Sequence, residues 1–528
     1  MRFFNTAGPV RCNVHYCLPP LTRFDLREVL SLIDQQKYFV LHAPRQTGKT
    51  TSLLALMEYL NQAGKYQCLY LNVEMGQSAR EDVSRGVRTI LGKMASQARN
   101  LLHDSFLDEI WVDVLETYGG DAALNEVLTR WAQPNPKPLV LLIDEIDALI
   151  GDTLISVLRQ LRDGYTQRPA MFPQSIMLCG VRDVRDYRIH SDKEKAMITG
   201  GSAFNIKAES LRLGNFTLQE IKTLYLQHTE ETGQPFGPKT IEFVWELTQG
   251  QPWLVNALGY EVCFKMKEGQ DRTVPITKDL LTIAKERIIL RRETHLDQLV
   301  DKLKEQRVQG VIKPMLQGIE LDRSVRQDDI EYVTDLGLIA RGEAGLKVAN
   351  PIYQEIIPRE LSFIFQLNFE PTYHPSWYIA LDGRLDMTRL LAAFQEFFQE
   401  HSEHWMERFD YKEAGPQLIM QAFLQRIVNS GGRVEREYGL GRMRTDLLVI
   451  WPYPGGIQKV VIELKLLTGS LERTEAEGLK QTWQYMDRCG SEEGHLVIFD
   501  RRKDKSWKEK IFRQDKTYQD HPITVWGM

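Results

Sequence analysis

Residues 37–51 read Lys37-Tyr-Phe-Val-Leu-His42 followed directly by Ala43-Pro-Arg-Gln-Thr-Gly-Lys-Thr-Thr51, and this stretch decides the fold of the first half of the chain. The apolar run predicts a short buried strand, and the helical pattern Ser52-Leu-Leu-Ala-Leu-Met-Glu-Tyr-Leu60 follows the loop. Strand, loop and helix in that order make a phosphate-binding unit, because the loop's backbone N–H groups and the positive end of the helix converge on one place. Gly48 keeps the turn open where backbone and phosphate meet, with Arg45, Gln46, Thr47 and Thr51 completing the wrap. Lys49 is expected to reach the β- and γ-phosphates, and the Thr50 hydroxyl to ligate Mg²⁺. The first glycine of the pattern G-x-x-x-x-G-K-[ST] is replaced by Ala43, at a position that needs a small residue more than it needs glycine.

A second strand, Pro138-Leu-Val-Leu-Leu-Ile-Asp144-Glu145, is apolar throughout and ends in two acids, the pattern of a parallel strand buried on both faces. Asp144 is expected to hold Mg²⁺ through water, and Glu145 to polarise the attacking water as general base. A further strand, Ser175–Gly180, runs into Val181-Arg182. Ligands bind at the carboxyl ends of such strands, so Arg182 is either a γ-phosphate sensor or a surface arginine. Downstream lie Leu211-Arg-Leu-Gly-Asn-Phe-Thr217, a helical stretch and Thr248-Gln-Gly250-Gln-Pro252-Trp-Leu.

On these residues, the chain from position 16 to about 295 resembles the STAND and archaeal-type branch of AAA+ P-loop ATPases. The resemblance implies that the Gly-x-Pro ending at Pro252 lies in a helical lid near the nucleotide. It makes Leu21-Thr-Arg23 the hydrophobic-Arg feature that precedes the phosphate loop. It also implies ATP with Mg²⁺, lid opening and closing driven by ATP, and a homo-oligomer.

At 528 residues the chain exceeds a single core. The expected division is an ATPase core over 1–215, a lid over 216–300, a winged-helix-like connector over 301–365, a helical linker over 366–410 and a last domain over 411–528. A net charge of −5 excludes a protein that coats nucleic acid by bulk electrostatics, so nucleic-acid contact requires local basic patches. Arg501, Arg502, Lys503, Lys505, Lys508 and Lys510 form one such run, which is otherwise a solvated loop. Six scattered cysteines fit neither a disulfide framework nor a zinc site, and Cys12, His15 and Cys17, though close together, read as structural or incidental. The N-terminus lacks the core of a signal peptide, and no apolar run approaches the roughly 20 residues needed to span a bilayer, so a cytoplasmic protein without membrane contact is expected.

Between the two ends, short helices, the segment Tyr332–Ala340 and Gly345–Ala349 have the outline of a winged helix. Because the region from Val325 to Asp335 is acidic, a structural relay is favoured over DNA recognition. Thr372-Tyr-His-Pro-Ser-Trp-Tyr is an irregular aromatic stretch, and Met387–His404 is an amphipathic helix whose Leu390, Leu391, Phe394, Phe397 and Phe398 read as core.

The last third predicts a helix (Gln417–Asn429), a Gly431-Gly432 stop, strands Arg433–Tyr438, Thr445–Ile450 and Lys459–Leu466, a helix (Gly478–Arg488) and a strand (His495–Asp500). This αβββαβ order resembles the PD-(D/E)XK nuclease superfamily. Glu463 and Lys465, two apart on a strand, share a face, and a hairpin turning between Pro454 and Gly455 sets Asp446 opposite Glu463. Two converging carboxylates suit Mg²⁺ or Mn²⁺, and Lys465 would orient the attacking water. Gln481 and Tyr485 stand at i and i+4 and match the Q-x-x-x-Y of the RecB-like branch, where the pair supports the catalytic site. Glu413, or Glu437 on a neighbouring strand, is a further acidic candidate.

The chain thus reads as an α/β protein in which an ATP-binding and ATP-hydrolysing switch controls a metal-dependent nuclease acting on nucleic acid, DNA before RNA. Genome defence or mobile-element control is the expected setting, with a protein trigger or inhibitor. The competing reading is a non-cleaving, ATP-switched binding or signalling protein with a degenerate nuclease fold.

Overall fold

In the computed structural model, residues 1–183, 188–191, 196–199, 204–291, 294–317, 325–342, 345–361, 378–408, 420, 423–424, 433–438, 445–467, 469–500, 502 and 505–528 are described. Glu413, Thr372–Trp377, Gly431-Gly432, Arg501, Lys503 and most of Gln417–Asn429 fall outside them. The chain divides into two compact units. One comprises Met1–Gln298 with Ile330–Ile339 and Ala349–Ile352; the other comprises Leu299–Asp329, Ala340–Val348 and Tyr353–Met528.

The first unit is built on the apolar runs read above. Strands β1 (Tyr38–His42), β2 (Gln67–Asn72), β3 (Leu139–Asp144), β4 (Ser175–Gly180) and β7 (Lys207–Arg212) form a five-stranded sheet in the order β2-β3-β4-β1-β7. Every pairing is parallel. Alternation along each strand feeds two cores. Tyr38, Val40, Leu69, Leu141 and Leu178 pack on one face against helices Val83–Gln97, Ala123–Ala132 and Gly151–Asp163. Phe39, Leu41, Cys68, Leu142 and Cys179 pack on the other, against helix Lys49–Ala63. Because β4 sits between β1 and β3, the phosphate loop after β1 and the acids ending β3 lie at the same edge of the sheet. Strands β5 (Arg188–Ser191) and β6 (Ala196–Thr199) form a separate antiparallel pair.

Helices Leu218–Thr232, Thr240–Thr248, Pro252–Tyr260 and Lys278–Arg291 follow the sheet. The first is opened by a capping box between Thr217 and Glu220. Gly250 is irreplaceable on geometric grounds: its φ is +74°, and a Cβ there would lie 1.9 Å from the Phe216 carbonyl oxygen. The expected winged-helix outline has a helix at Gln327–Asp335, and its first strand, β8 (Ile339–Gly342), pairs with β9 (Gly345–Val348). The segment from Tyr332 to Asp335 therefore closes a helix and does not begin the hairpin.

The second unit carries a six-stranded sheet from β10 (Arg433–Tyr438), β11 (Thr445–Tyr453), β12 (Gly456–Leu466), β13 (Glu493–Phe499), β14 (Phe512–Tyr518) and β15 (His521–Gly527). Its order is β10-β11-β12-β13-β15-β14. Strands β11 and β12 are longer than predicted, meeting at Tyr453 and Gly456, so the turn falls at Pro454-Gly455 as the hairpin argument requires. The β14–β15 hairpin was not foreseen from sequence. One face of the sheet packs Leu447, Val449, Ile462 and Leu464 against Leu390, Leu391, Phe394 and Phe398 of helix Met387–Arg408 and against Met420, Phe423 and Leu424. The other packs Leu448, Val461, Leu496 and Ile498 against Leu479, Tyr485 and Met486 of helix Leu471–Cys489. That helix begins well before the predicted Gly478, because the Ser470 side chain caps it by accepting from the Arg473 N–H. Among the described residues no helix is long and apolar enough to cross a membrane.

Candidate functional site

The phosphate loop begins at Ala43, fully buried, whose N–H donates to the Gly180 carbonyl across 3.2 Å and ties the loop to β4. The Thr47 hydroxyl donates to the Pro44 carbonyl at 2.8 Å. Gly48, at φ +96°, caps helix Lys49–Ala63 in a left-handed conformation that other residues adopt only with strain. Lys49 is buried, and its ammonium donates to the carbonyls of Ala43 (2.9 Å) and Pro44 (3.0 Å), folded back over the loop it is expected to serve. Thr47, Gly48, Gln46 and Thr51 line a cleft; Arg45 is exposed and does not line it.

The Thr50 hydroxyl donates to Asp144 Oδ2 at 2.7 Å, uniting the two motifs. Asp144 is fully buried and also accepts from the Tyr70 hydroxyl at 2.9 Å. Burial pushes the Tyr70 phenol far up, so it remains a donor to the carboxylate. A hydroxyl and a carboxylate oxygen side by side are the hard donor set that Mg²⁺ takes, and both fit that ion. Glu145 follows with φ +58°. Burial, and then the charges of Asp147 and Asp144, raise its carboxyl above the usual range, which makes it a stronger base. Arg182 is buried beyond β4, with its guanidinium 4.7 Å from the Tyr332 ring centre and Nε 4.0 Å from Asp335 Oδ2. In this conformation it faces helix Gln327–Asp335 and does not line the cleft. His42 Nδ1 approaches Asp335 Oδ1 at 3.9 Å, but burial lowers the imidazole pKa to about 4, so the contact is not an ion pair at neutral pH.

The cleft's empty space, open mouth included, is about 740 Å³. Beyond the phosphate loop its walls come from the N-terminal strap, whose part in the cleft the sequence did not indicate, and from the helical region expected to form the lid. The N-terminal strap contributes Asn5–Gly8, Val10 and Tyr16–Leu18, and the helical region contributes Phe216, Pro252, Trp253 and Asn256. Pro252, expected near the nucleotide, opens helix Pro252–Tyr260 on this wall. Arg23 also lines the cleft; its guanidinium stacks 4.5 Å from the Phe216 ring and donates to the Gly214 carbonyl at 2.6 Å.

The strap also pairs two of the cysteines, against the expectation of no disulfide framework but within the structural role open to Cys12 and Cys17. Cys12 and Cys17 form a disulfide, with Cα atoms 5.4 Å apart. The Arg11 carbonyl accepts from the N–H groups of Val14 (2.9 Å) and His15 (2.7 Å), and this tight turn brings together two thiols whose spacing matches no disulfide framework.

In the second unit the register pairs Asp446 with Glu463 across β11 and β12, and Glu437 with Asp446 across β10 and β11. The side chains of Asp446 and Glu437 lie outside the described ones. Glu463 is fully buried, and the Lys465 ammonium lies 2.6 Å from its Oε1. On helix Leu471–Cys489, Gln481 Oε1 is buried without a hydrogen-bond partner among the described residues, whereas Tyr485 is packed into the core with Leu448, Val461 and Met486. Among the described residues no group of three His, Cys, Asp or Glu side chains could hold a metal ion. The basic run near the C-terminus is partly neutralised locally: Arg502 pairs with Asp500 at 2.6 Å and Lys505 with Glu509 at 2.8 Å.

The profile of the AAA-like domain family matches residues 27–357. Among solved structures, the chain is similar to a Walker-type ATPase of Pyrococcus abyssi (14% identity over 67% of this chain and 99% of that one, TM-score 0.43). It is also similar to Cdc6p of Pyrobaculum aerophilum (14%, 68% and 97%, TM-score 0.35) and to a RuvB variant of Thermotoga maritima (15%, 63% and 94%, TM-score 0.34). At these values the likenesses bear on no point of function. No curated protein matches the chain. The family match spans more than half of the sequence and encloses the phosphate loop, the Thr50–Asp144 pair and Glu145, so the chain belongs to the AAA-like domain family of P-loop ATPases and binds ATP.

Proposed function

We propose that the ATPase unit is a switch for a metal-dependent nuclease in the second unit, acting on DNA and serving genome defence or mobile-element control as a homo-oligomer answering to a protein trigger. One observation carries the nuclease half: Asp446 stands opposite Glu463 in the β11–β12 register, with Lys465 against the buried Glu463 carboxylate. Directly opposed positions of an antiparallel pair share a face, so the two acids and Lys465 belong to the face covered by helix Leu471–Cys489, which brings Gln481. The αβββαβ core expected from sequence is compatible with the strand order of this sheet.

In the ATPase, Thr50 and Asp144 would hold Mg²⁺, which when bound neutralises phosphate charge. Lys49 leaves its two carbonyl partners to reach the β- and γ-phosphates, Glu145 takes the proton of the attacking water, and Arg182 meets the γ-phosphate by exchanging its contacts with Tyr332 and Asp335. In the nuclease, Asp446 and Glu463 would hold Mg²⁺ or Mn²⁺, which when bound supplies Lewis acidity at the phosphate. Lys465 orients the water and balances developing charge, and the Gln481 amide fixes the scissile group.

The non-cleaving alternative draws on a specific feature: Lys465 already neutralises Glu463, and no three-ligand group exists among the described residues. Incubation of plasmid DNA with the full chain, ATP and Mg²⁺ separates the two. Cleavage by the wild type and none by Asp446→Ala supports the nuclease; no cleavage by either protein under any metal supports the alternative.

A further inference from the structure

The nucleotide cleft is walled by two arms of the N-terminal strap, Asn5–Val10 and Tyr16–Pro20, and the Cys12–Cys17 disulfide ties these arms together across the turn that joins them. Both arms are fastened to the parts of the ATPase that hold nucleotide. The Val10 N–H donates to the hydroxyl of Thr51, in the phosphate loop's helix, at 3.0 Å. Cys17 is clamped at its backbone by Gln227, which accepts from the Cys17 N–H at 3.1 Å and donates to its carbonyl at 2.9 Å. The Thr6 carbonyl accepts from the Trp253 indole at 2.9 Å. The strap therefore bridges phosphate loop and helical region, and the disulfide fixes the spacing between the Val10 anchor and the Cys17 anchor. Its position is accessible: Cys12 is exposed and Cys17 half-buried.

We propose that this disulfide is a redox control on nucleotide binding, in which a dithiol reductant slackens the strap and weakens the site. The proposal rests on the nucleotide reading of the cleft. One thiolate of the dithiol attacks Cys12 Sγ, the Sγ–Sγ bond breaks and the Cys17 thiolate leaves. The second thiol of the reductant then displaces Cys12, so the reductant departs as its own disulfide and its two protons end on Cys12 and Cys17. The strap does not unfold on reduction, because it is held by other forces. Phe4 and Tyr16 are buried, Phe4 packs 5.0 Å from the Tyr16 ring, and the Phe3 N–H donates to the Val14 carbonyl. What is lost is the constraint on the exposed turn. Nucleotide binding must then order the turn itself, an entropic cost that a short cross-linked loop avoids. Disulfides that are exposed are the ones thiol reductants reach, and in reducing compartments a surviving disulfide is typically transient or redox-sensing.

The test is titration of a fluorescent, non-hydrolysable ATP analogue into the full chain, either oxidised with diamide or reduced with dithiothreitol, with Cys12→Ser beside it. Cys12 does not line the cleft, so this substitution removes the cross-link without touching the pocket wall. The expected result is a Kd about tenfold weaker in reduced than in oxidised wild type, given the small loop that is closed. Cys12→Ser should match the reduced protein and ignore dithiothreitol. Equal affinity in oxidised and reduced wild type overturns the redox control while leaving the nucleotide site intact. So does a Cys12→Ser protein that still responds to dithiothreitol, which would assign the effect to another thiol. Labelling of Cys12 and Cys17 by an alkylating reagent after diamide treatment, read by mass spectrometry, overturns it as well. Absence of binding in every state would overturn the nucleotide reading too.

Discussion

The Thr50 hydroxyl donates to the Asp144 carboxylate at 2.7 Å although 94 residues separate the two in sequence. Parallel pairing of β3 and β1 through β4 makes this contact, since it sets the phosphate loop and the acidic strand end side by side. The two motifs thus form one site, and the Tyr70 hydroxyl donates to the same Asp144 oxygen at 2.9 Å.

Lys49→Ala is expected to weaken ATP binding about 100-fold or more, because removing a charge-assisted contact to phosphate in a buried site costs roughly 3 kcal/mol. The substitution also releases the carbonyls of Ala43 and Pro44, so circular dichroism should accompany the calorimetry. Glu145→Gln should bind ATP like the wild type and hydrolyse it about 100-fold more slowly, the usual cost of losing a general base. Wild-type turnover in both variants would remove Lys49 and Glu145 from the mechanism.

Gly250→Ala tests the helical region by a purely steric route. The added Cβ would meet the Phe216 carbonyl carbon and oxygen in a backbone already at φ +74°. A loss of about 2–4 kcal/mol is expected, seen as a lowered Tm. An unchanged Tm would mean that Gly250 and Phe216 are not apposed as described.

These sites differ in how far they could be read from sequence. The runs ending at His42 and Asp144 were legible because a strand buried on both faces has a continuous apolar signature, and Lys49 and Asp144 sit at fixed places beside it. The Asp446–Glu463 register was legible for a comparable reason, since a hairpin turning at Pro454-Gly455 leaves only one pairing. The strap was not. Its role depends on contacts such as Cys17 to Gln227, 210 residues apart, which no local periodicity encodes. Strand β14, Phe512-Arg-Gln-Asp-Lys-Thr-Tyr518, carries no apolar alternation because its middle residues face solvent, and its strand form comes from pairing with β15.

His42 and His295 should make the protein acid-sensitive. Burial lowers each imidazole pKa from about 6.5 to about 4 in the fold. Between these values the unfolded chain binds protons that the folded one refuses, so stability is full above pH 6.5 and is lost as pH falls toward 4. Each histidine contributes a loss of about 3 kcal/mol over that window. Thermal melts from pH 7 to 4 should show the decline, and His42→Gln should reduce it; a flat Tm would refute the neutral buried state.

The last prediction concerns metal at the second unit. Ca²⁺ is larger than Mg²⁺, takes more ligands and acidifies bound water less, so it should support DNA binding while failing to support cleavage. If Asp446 and Glu463 share a cation from their opposed positions, Asp446→Ala and Glu463→Gln should each abolish cleavage in Mg²⁺ or Mn²⁺ and also the Ca²⁺-enhanced binding. Lys465→Ala should behave differently. It removes the ammonium 2.6 Å from the buried Glu463 carboxylate, a positive charge that competes with a bound cation for that group. Metal affinity should therefore rise in Lys465→Ala while cleavage falls by about 100-fold or more, because the group that orients the water is gone. Calorimetric titration with Ca²⁺ reads the first effect and plasmid nicking the second. Cleavage in EDTA, or metal binding unaffected by all three substitutions, would show that the Asp446–Glu463 row serves the sheet and not a metal.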